Sequence, residues 1–224
     1  MVTISALINA RTTSSRLPRK LVLPFSNSTL IDIALKKLNG LDFFDNLYFG
    51  AAEDELIDKA LPLRNIQILR RDPAAIKPGY NSHSVVFAHY KLVQSDYIMW
   101  INPCHPLLSY STLRTAVQRV KESQHNSYTS VVPTTDWIFT DSGTPVTNTS
   151  STTLSSGHSE SYYKVAHAFH VIRKEFFLQN YQYWSLGLND PSLITIPEEE
   201  NFDVNTPLEF SIAESAYRLF KHQQ

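Results

Sequence analysis

Cysteine is almost absent from this chain: Cys104 stands alone, so no intrachain disulfide can form. Glycine is scarce too, at 6 of 224 residues. The loop after the first apolar run has none, which rules out a Walker loop or a dinucleotide fingerprint there. No apolar run approaches the roughly 18 residues of a membrane span, and no basic-then-apolar leader opens the chain. We therefore expect no membrane association and a cytoplasmic location. An excess of positive charge is missing as well. The formal net charge is −1, which argues against nucleic acid as a partner bound by bulk electrostatics. A small anionic ligand held by a local cluster stays open. The length suits one large domain, or one domain with an arm, that buries roughly 70% of its unfolded surface and needs no staples.

The stretch that organises the rest is Ile4 to Lys20. A short apolar run of strand length breaks into hydroxyls and cations: Arg11, Thr12, Thr13, Ser14, Ser15, Arg16, Arg19 and Lys20. A buried strand feeding such a loop is how α/β proteins hold an anion at a strand's carboxyl end. The guanidinium and ammonium groups can face phosphates, and the hydroxyls can donate hydrogen bonds. A plain basic surface loop is the other reading of the same residues.

Further along, strand and helix signals alternate. Thr29 caps a helix over Leu30 to Leu38, which Asn39-Gly40 stops. Leu47 to Ala51 is a strand, Glu53 to Ala60 a helix, and Ile66 to Leu69 a strand followed directly by Arg70-Arg71-Asp72-Pro73. Pro73 and Pro78-Gly79 keep the next stretch irregular, and Ser82 to Val93 is read as one helix. Asp96 to Ile101 is the strongest buried strand and ends in Asn102-Pro103-Cys104-His105-Pro106-Leu107-Leu108. Thr112 to Glu122 is a helix; Ser130 to Val132 and Val165 to Val171 are strands. Between them, Thr140 to Ser161 is rich in Ser, Thr, Gly and Asn, an excursion rather than a domain boundary. Glu198 to Glu200 is read as a solvated turn, and Pro207 to about Phe220 as a closing helix capped by Asn205 or Thr206. The alternation predicts an α/β fold with a mainly parallel sheet.

Ala10-Arg11-x-x-Ser14-x-x-Leu17-Pro18-x-Lys20 resembles the first motif of the cytidylyltransferases that activate acidic sugars, the CMP-sialic acid and CMP-Kdo synthetases. The resemblance runs through four motifs in order. It implies a three-layer, Rossmann-like nucleotide-diphospho-sugar transferase fold. Residues 1–224 would form one nucleotidyltransferase-like domain, with an excursion at about 137–163 that helps build a homodimer. Arg11, Ser14 and Lys20 then fall on the triphosphate and base. Arg71 and Ser82 match the second, nucleotide-binding motif, with Asp72 where the family has Pro. In the third motif Asn102 replaces a sugar-contacting Gln, and Cys104 stands where the Kdo enzymes carry a metal-binding Asp. The fourth motif reads Asp203-Val204-Asn205-Thr206, so one of two Mg²⁺-binding carboxylates is an amide. Lys164 and His167, around Ala166-His167-Ala168, fall on the sugar-binding strand.

The resemblance thus implies a CTP-dependent cytidylyl transfer to a sialic acid-like or Kdo-like sugar, with Mg²⁺ as cofactor and pyrophosphate as leaving group. Arg11, Lys20 and Asp203 would be its catalytic residues, Asn102, Lys164 and His167 would face the sugar, and Asp203 and Asn205 would hold the metal. Leu21, Ala166 and Asn205 depart from the family pattern. They favour the rival expectation, a diverged member that binds a nucleotide or a partner without turnover. A glycosyltransferase of related fold is disfavoured by the lack of an Asp-x-Asp after a mid-chain strand.

Overall fold

The computed structural model describes residues 1–77, 82–148 and 160–220. Pro78-Gly79 and the middle of the Ser/Thr-rich excursion lie outside the described residues. The chain runs β1 (Ile4–Asn9), a two-residue hairpin of β2 (Pro24–Phe25) and β3 (Ser28–Thr29), α1 (Leu30–Asn39), β4 (Asn46–Ala51), α2 (Asp54–Ala60) and β5 (Ile66–Arg70). Then come α3 (His83–Val86), β6 (Tyr97–Ile101), α4 (Tyr110–Ser123), β7 (Ser127–Thr134), β8 (Tyr162–Arg173), α5 (Lys174–Asn180), β9 (Ser192–Thr195) and α6 (Pro207–Phe220).

Seven strands form one sheet in the order β5-β4-β1-β6-β8-β7-β9. Neighbours are parallel except where β8 pairs with β6 and β7. Helices flank both faces of this mixed, mostly parallel α/β sheet, the Rossmann-like arrangement expected. Period-two alternation sorts the strand side chains between two cores. Ile4, Ala6 and Ile8 of β1 and Tyr97, Met99 and Ile101 of β6 join the larger core, with α1, α2, α4 and α6. Leu7 and Ile98 face the smaller core, with Tyr90, Val93 and Phe177 of α5.

The helix ends follow local chemistry. Thr29 Oγ1 accepts from Asp32 N at 3.2 Å and donates to the Asp32 carboxylate at 2.7 Å, and Gly40 closes α1. At α6, Thr206 and Glu209 form a reciprocal capping box: Glu209 N donates to Thr206 Oγ1 at 3.2 Å, and Thr206 N to Glu209 Oε2 at 2.7 Å.

Three expectations need correction. Ser82 to Val93 is not one helix: α3 ends at Val86, and a 3₁₀ turn covers Ala88–Leu92. The Ser82 side chain makes no capping hydrogen bond to the helix backbone. The chain instead turns to bury His89 and Tyr90, while Phe87 packs on Tyr90, Phe177 and Tyr183 at 5.1, 5.7 and 5.4 Å between ring centroids. After β5, Pro73–Ile76 is an ordered 3₁₀ turn, because Asp72 Oδ1 accepts from Ala74 N at 2.7 Å and Pro73 starts the turn. Glu198–Glu200 is only partly solvated, since Glu200 is buried and accepts from Thr112 Oγ1 at 2.9 Å. Helix α5 was not anticipated at all.

β8 is longer than expected and bulged. Thr129 of β7 pairs with His170, but Val131 already pairs with Val165, so four residues of β8 bow out against one of β7. The buried Ser130 hydroxyl holds the bow. Its Oγ accepts from Ala168 N at 3.0 Å and Phe169 N at 3.1 Å and contacts Phe169 O at 3.1 Å. Within the bow, His167 has φ 57°, a left-handed conformation that side chains other than glycine adopt at a cost.

Ser130→Ala strands two buried N–H groups, so it should cost about 2 to 3 kcal/mol in urea denaturation; an unchanged midpoint would mean that something else holds the bow. A second test concerns Lys37, buried on α1, whose Nζ donates to Pro106 O at 3.2 Å. Burial pushes its ammonium down to about 8, against 10.5 ordinarily. Between those values the unfolded chain binds more protons than the folded one, so this group makes stability rise with pH. From pH 8 to 9.5 the parent should gain about 1 to 2 kcal/mol relative to Lys37→Met. Parallel pH profiles would show that Lys37 does not titrate in that window.

Candidate nucleotide and acceptor site

The carboxyl ends of β1, β4, β5 and β6 meet on one edge of the sheet, and the bow of β8 joins them there. The loop after β1 is fastened to this edge by its hydroxyl residues. Thr12 N and Oγ1 donate to Glu53 Oε1 at 2.7 and 3.1 Å, and Thr13 Oγ1 donates to Ile76 O at 2.6 Å. Beside it, Gly50 lets Asn9 meet His89 Nε2 at 2.7 Å; a Cβ on Gly50 would lie 2.5 Å from Asn9 Oδ1.

Three adjoining cavities line this edge. The first, of about 610 Å³, is lined by Arg11, Arg71 and His83 and by the aromatic residues Trp100, His170, Tyr183 and Trp184. The second, of about 210 Å³, is walled by Arg11, Ser14, Arg16, Lys20, Asn102 and Asn205. The third, of about 350 Å³, is walled by Lys164, His167, Asp203 and Asn205. Arg11 and Trp100 are shared by the first and second, Asn205 by the second and third, and His167 by the first and third.

Most residues singled out from the sequence therefore lie along one cleft. Arg71 is buried: its guanidinium donates to Ala10 O and Val86 O at 3.3 Å each, while Nε has no hydrogen-bond partner. Burial pulls it below its ordinary value, with the nearby Arg11 charge a smaller cause in the same direction. Lys20 is not free to roam: Nζ donates to Val204 O and to Asn205 Oδ1 at 3.0 Å, tying the first loop to the last segment. Arg19 turns away and pairs with Glu55 of α2 at 2.7 Å. Ser82 is exposed and bonds Ser84 Oγ at 2.9 Å, while its neighbour His83 takes the wall position.

Asn102 sits at the centre. Its Nδ2 donates to His167 O at 3.0 Å and to Asp203 Oδ1 at 3.4 Å, and its Oδ1 accepts from Cys104 N at 3.0 Å. Asp203 Oδ2 accepts from Asn205 Nδ2 at 2.7 Å. His105 is buried, with Nε2 3.7 Å from Asp203 Oδ1. Desolvation pulls its imidazole below the ordinary value, opposed by Asp203. Cys104 is packed away, its thiol pushed up to about 11 by burial.

As a cation site the last segment is lean. Among the described residues no group of three or more His, Cys, Asp or Glu side chains gathers to hold a metal. Asp203 brings one carboxylate and Asn205 one amide oxygen. Asn205 Oδ1 accepts from Lys20 Nζ, so the pair fits Mg²⁺ only once that ammonium moves off, with the remaining ligands supplied from outside the chain.

The aromatic lining of the first cavity was missed from the sequence. Trp100 stacks on His170 at 5.4 Å and 5° between planes, and Trp184 and Tyr183 pack on His170 at 5.5 and 5.8 Å. Trp100 was read only as a buried strand residue, and 181–190 carried no periodic pattern. The spacing of His167 and His170 within one strand was the available hint.

Solved structures share this fold. A CMP:2-keto-3-deoxy-manno-octonic acid synthetase complexed with CTP superposes with a TM-score of 0.69 at 12% identity, covering 99% of this chain and all (100%) of that one. A 4-diphosphocytidyl-2C-methyl-D-erythritol synthase from Anaerococcus prevotii DSM 20548 gives 0.67 at 13% identity, over 97% and 96%. The bifunctional IspDF of Campylobacter jejuni gives 0.64 at 12% identity, over 91% of this chain and 52% of that one. Among curated proteins, none matches the chain significantly in sequence. The cytidylyltransferase family model matches residues 5–207, which take in the basic loop, the Asn102 turn, the β8 bow and Asp203, and the chain belongs to that family.

Proposed function

We propose that this protein transfers the cytidylyl group of CTP to a hydroxyl of an acidic, sialic acid-like or Kdo-like sugar and releases pyrophosphate. The observation that carries the reading is the pair Arg11 and Arg71 lining a cavity that shares His167 with a second one lined by Lys164 and Asp203. Arg11, Lys20 and Arg71 face the phosphates, and Ser14 and Ser82 orient the nucleotide. Asn102, Lys164 and His167 face the sugar, with Lys164 matched to its carboxylate. Asp203 and Asn205 hold Mg²⁺, which neutralises phosphate charge when bound with CTP. Catalysis of this kind is mostly positioning and charge neutralisation. Exposed Ile138, Phe139, Val146 and Tyr163 on the excursion and its root suit a homodimer contact.

A second reading has its own support. Leu21, where the sialic acid enzymes resembled here carry Asn, is packed in the core, and Lys20 already engages Asn205. A diverged member that binds nucleotide without turnover would look the same. Pyrophosphate release from CTP and Mg²⁺ with a panel of acidic sugars separates the two: release supports transfer, and CTP binding without release supports the second reading.

Arg11→Ala should weaken CTP binding by about 1.5 to 3 kcal/mol in calorimetry, the scale of a charge-assisted hydrogen bond. Unchanged affinity would remove Arg11 from the nucleotide site. At the last segment, Asp203→Asn should abolish turnover, whereas Asn205→Asp should tighten Mg²⁺ binding and preserve or raise the rate. Full activity in Asp203→Asn would move the metal elsewhere.

A further inference from the structure

We infer that His167 is the general base of this cytidylyl transfer, and that buried His170 positions it. The inference rests on the transfer reading above and adds a proton acceptor to it. His167 lines both the cavity with Arg11 and Arg71 and the cavity with Lys164 and Asp203. It therefore stands between the proposed places of the donor phosphates and the acceptor hydroxyl.

His83 lines the cavity with Arg11 and Arg71 but not the one with Lys164 and Asp203, and the other groups at the cleft have other roles. Asp203 accepts from Asn102 and Asn205 and is the Mg²⁺ ligand of the reading above, and Asn205 is an amide. Glu209 Oε2 caps α6 through Asn205 N, Thr206 N and Thr206 Oγ1. Cys104 is a buried thiol held protonated. Arg11, Arg71 and Lys164 are cations that stabilise charge and do not collect a proton.

His167 has the support a base needs. Its Nδ1 lies 3.2 Å from His170 Nε2, and His170 Nδ1 lies 2.8 Å from Thr129 Oγ1. His170 is buried, stacked on Trp100, and pushed down to about 3 by burial, so it stays neutral. With Thr129 accepting from His170 Nδ1–H, His170 Nε2 accepts from His167 Nδ1–H, and His167 Nε2 is left as a lone pair. The left-handed φ of 57° at His167 is the backbone cost of placing the ring there. In the step, the acceptor O–H gives its proton to Nε2 while its oxygen bonds the α-phosphorus. The α–β bridging bond breaks, pyrophosphate leaves with the electron pair, and the imidazolium later returns its proton to solvent.

The test uses the full chain with CTP, Mg²⁺ and two probe acceptors, 2-keto-3-deoxy-manno-octonic acid and N-acetylneuraminic acid. His167→Gly suits the left-handed backbone and opens space for a small base. We expect kcat to fall by about 10²- to 10⁴-fold, the usual worth of a general base. CTP affinity by calorimetry should be unchanged, and added imidazole should restore turnover in proportion to its free base. His170→Phe keeps a ring against Trp100 and removes the acceptor for Nδ1–H; kcat should fall without imidazole rescue. An active parent with an equally active His167→Gly, or a loss that imidazole does not restore, overturns the inference and leaves the transfer reading intact. A parent inert toward both probes while CTP binds counts against the transfer reading, and the base falls with it.

Discussion

One amide holds the cleft in shape. Asn102 closes β6, and its backbone N–H donates to Ala168 O at 3.0 Å in the bow of β8. Its side chain reaches His167 O, Cys104 N and Asp203 at once. Three pieces far apart in sequence, at 102, 167 and 203, are thereby fixed to a single planar group. A carboxylate in its place could accept but not donate, and a longer glutamine would push the bow and the last segment apart. The shorter amide, which departs from the glutamine of the sialic acid enzymes, matches a site in which β8 itself comes inward.

Around that hub the charge is arranged in one direction. The cations Arg11, Arg71 and Lys20 enter from the β1 and β5 side, where two strand ends leave polar loops over apolar cores. The carboxylate and histidines enter from the β8 and α6 side. Buried Arg71 and neutral His170 show how the low-dielectric sheet edge decides protonation: an always-charged guanidinium is kept by backbone carbonyls, whereas an imidazole gives up its proton. The cleft therefore offers fixed positive charge beside uncharged, hydrogen-bonding nitrogen.

The parallel core was legible because its signals are local. Apolar runs of strand length, the Thr29 cap, Gly40 and the Pro207 start each depend on neighbouring residues alone, and those elements came out within a residue or two. Where long-range contacts decide, the sequence was silent. The helix read over Ser82 to Val93 broke because Phe87 and Tyr90 pack on Phe177 and Tyr183, residues about 90 positions away. The β8 bow depends on the Ser130 hydroxyl in another strand. Likewise, the loop residues of the site could be found from their spacing. Tyr183 and Trp184 could not, since only folding brings them onto His170.

β8 is the strand that runs against the rest, and this has an architectural consequence. Its first residues lie at the same edge as the last residues of β7, where Thr134 pairs with Tyr162. The connection between them leaves and re-enters beside the cleft, with both roots clamped in the sheet. Lengthening such a clamped connection costs little, about 0.6 kcal/mol for each doubling of its length. The β7–β8 connection can thus change in length by insertion or deletion, while the bow, the hub amide and the sheet register between its roots stay as they are.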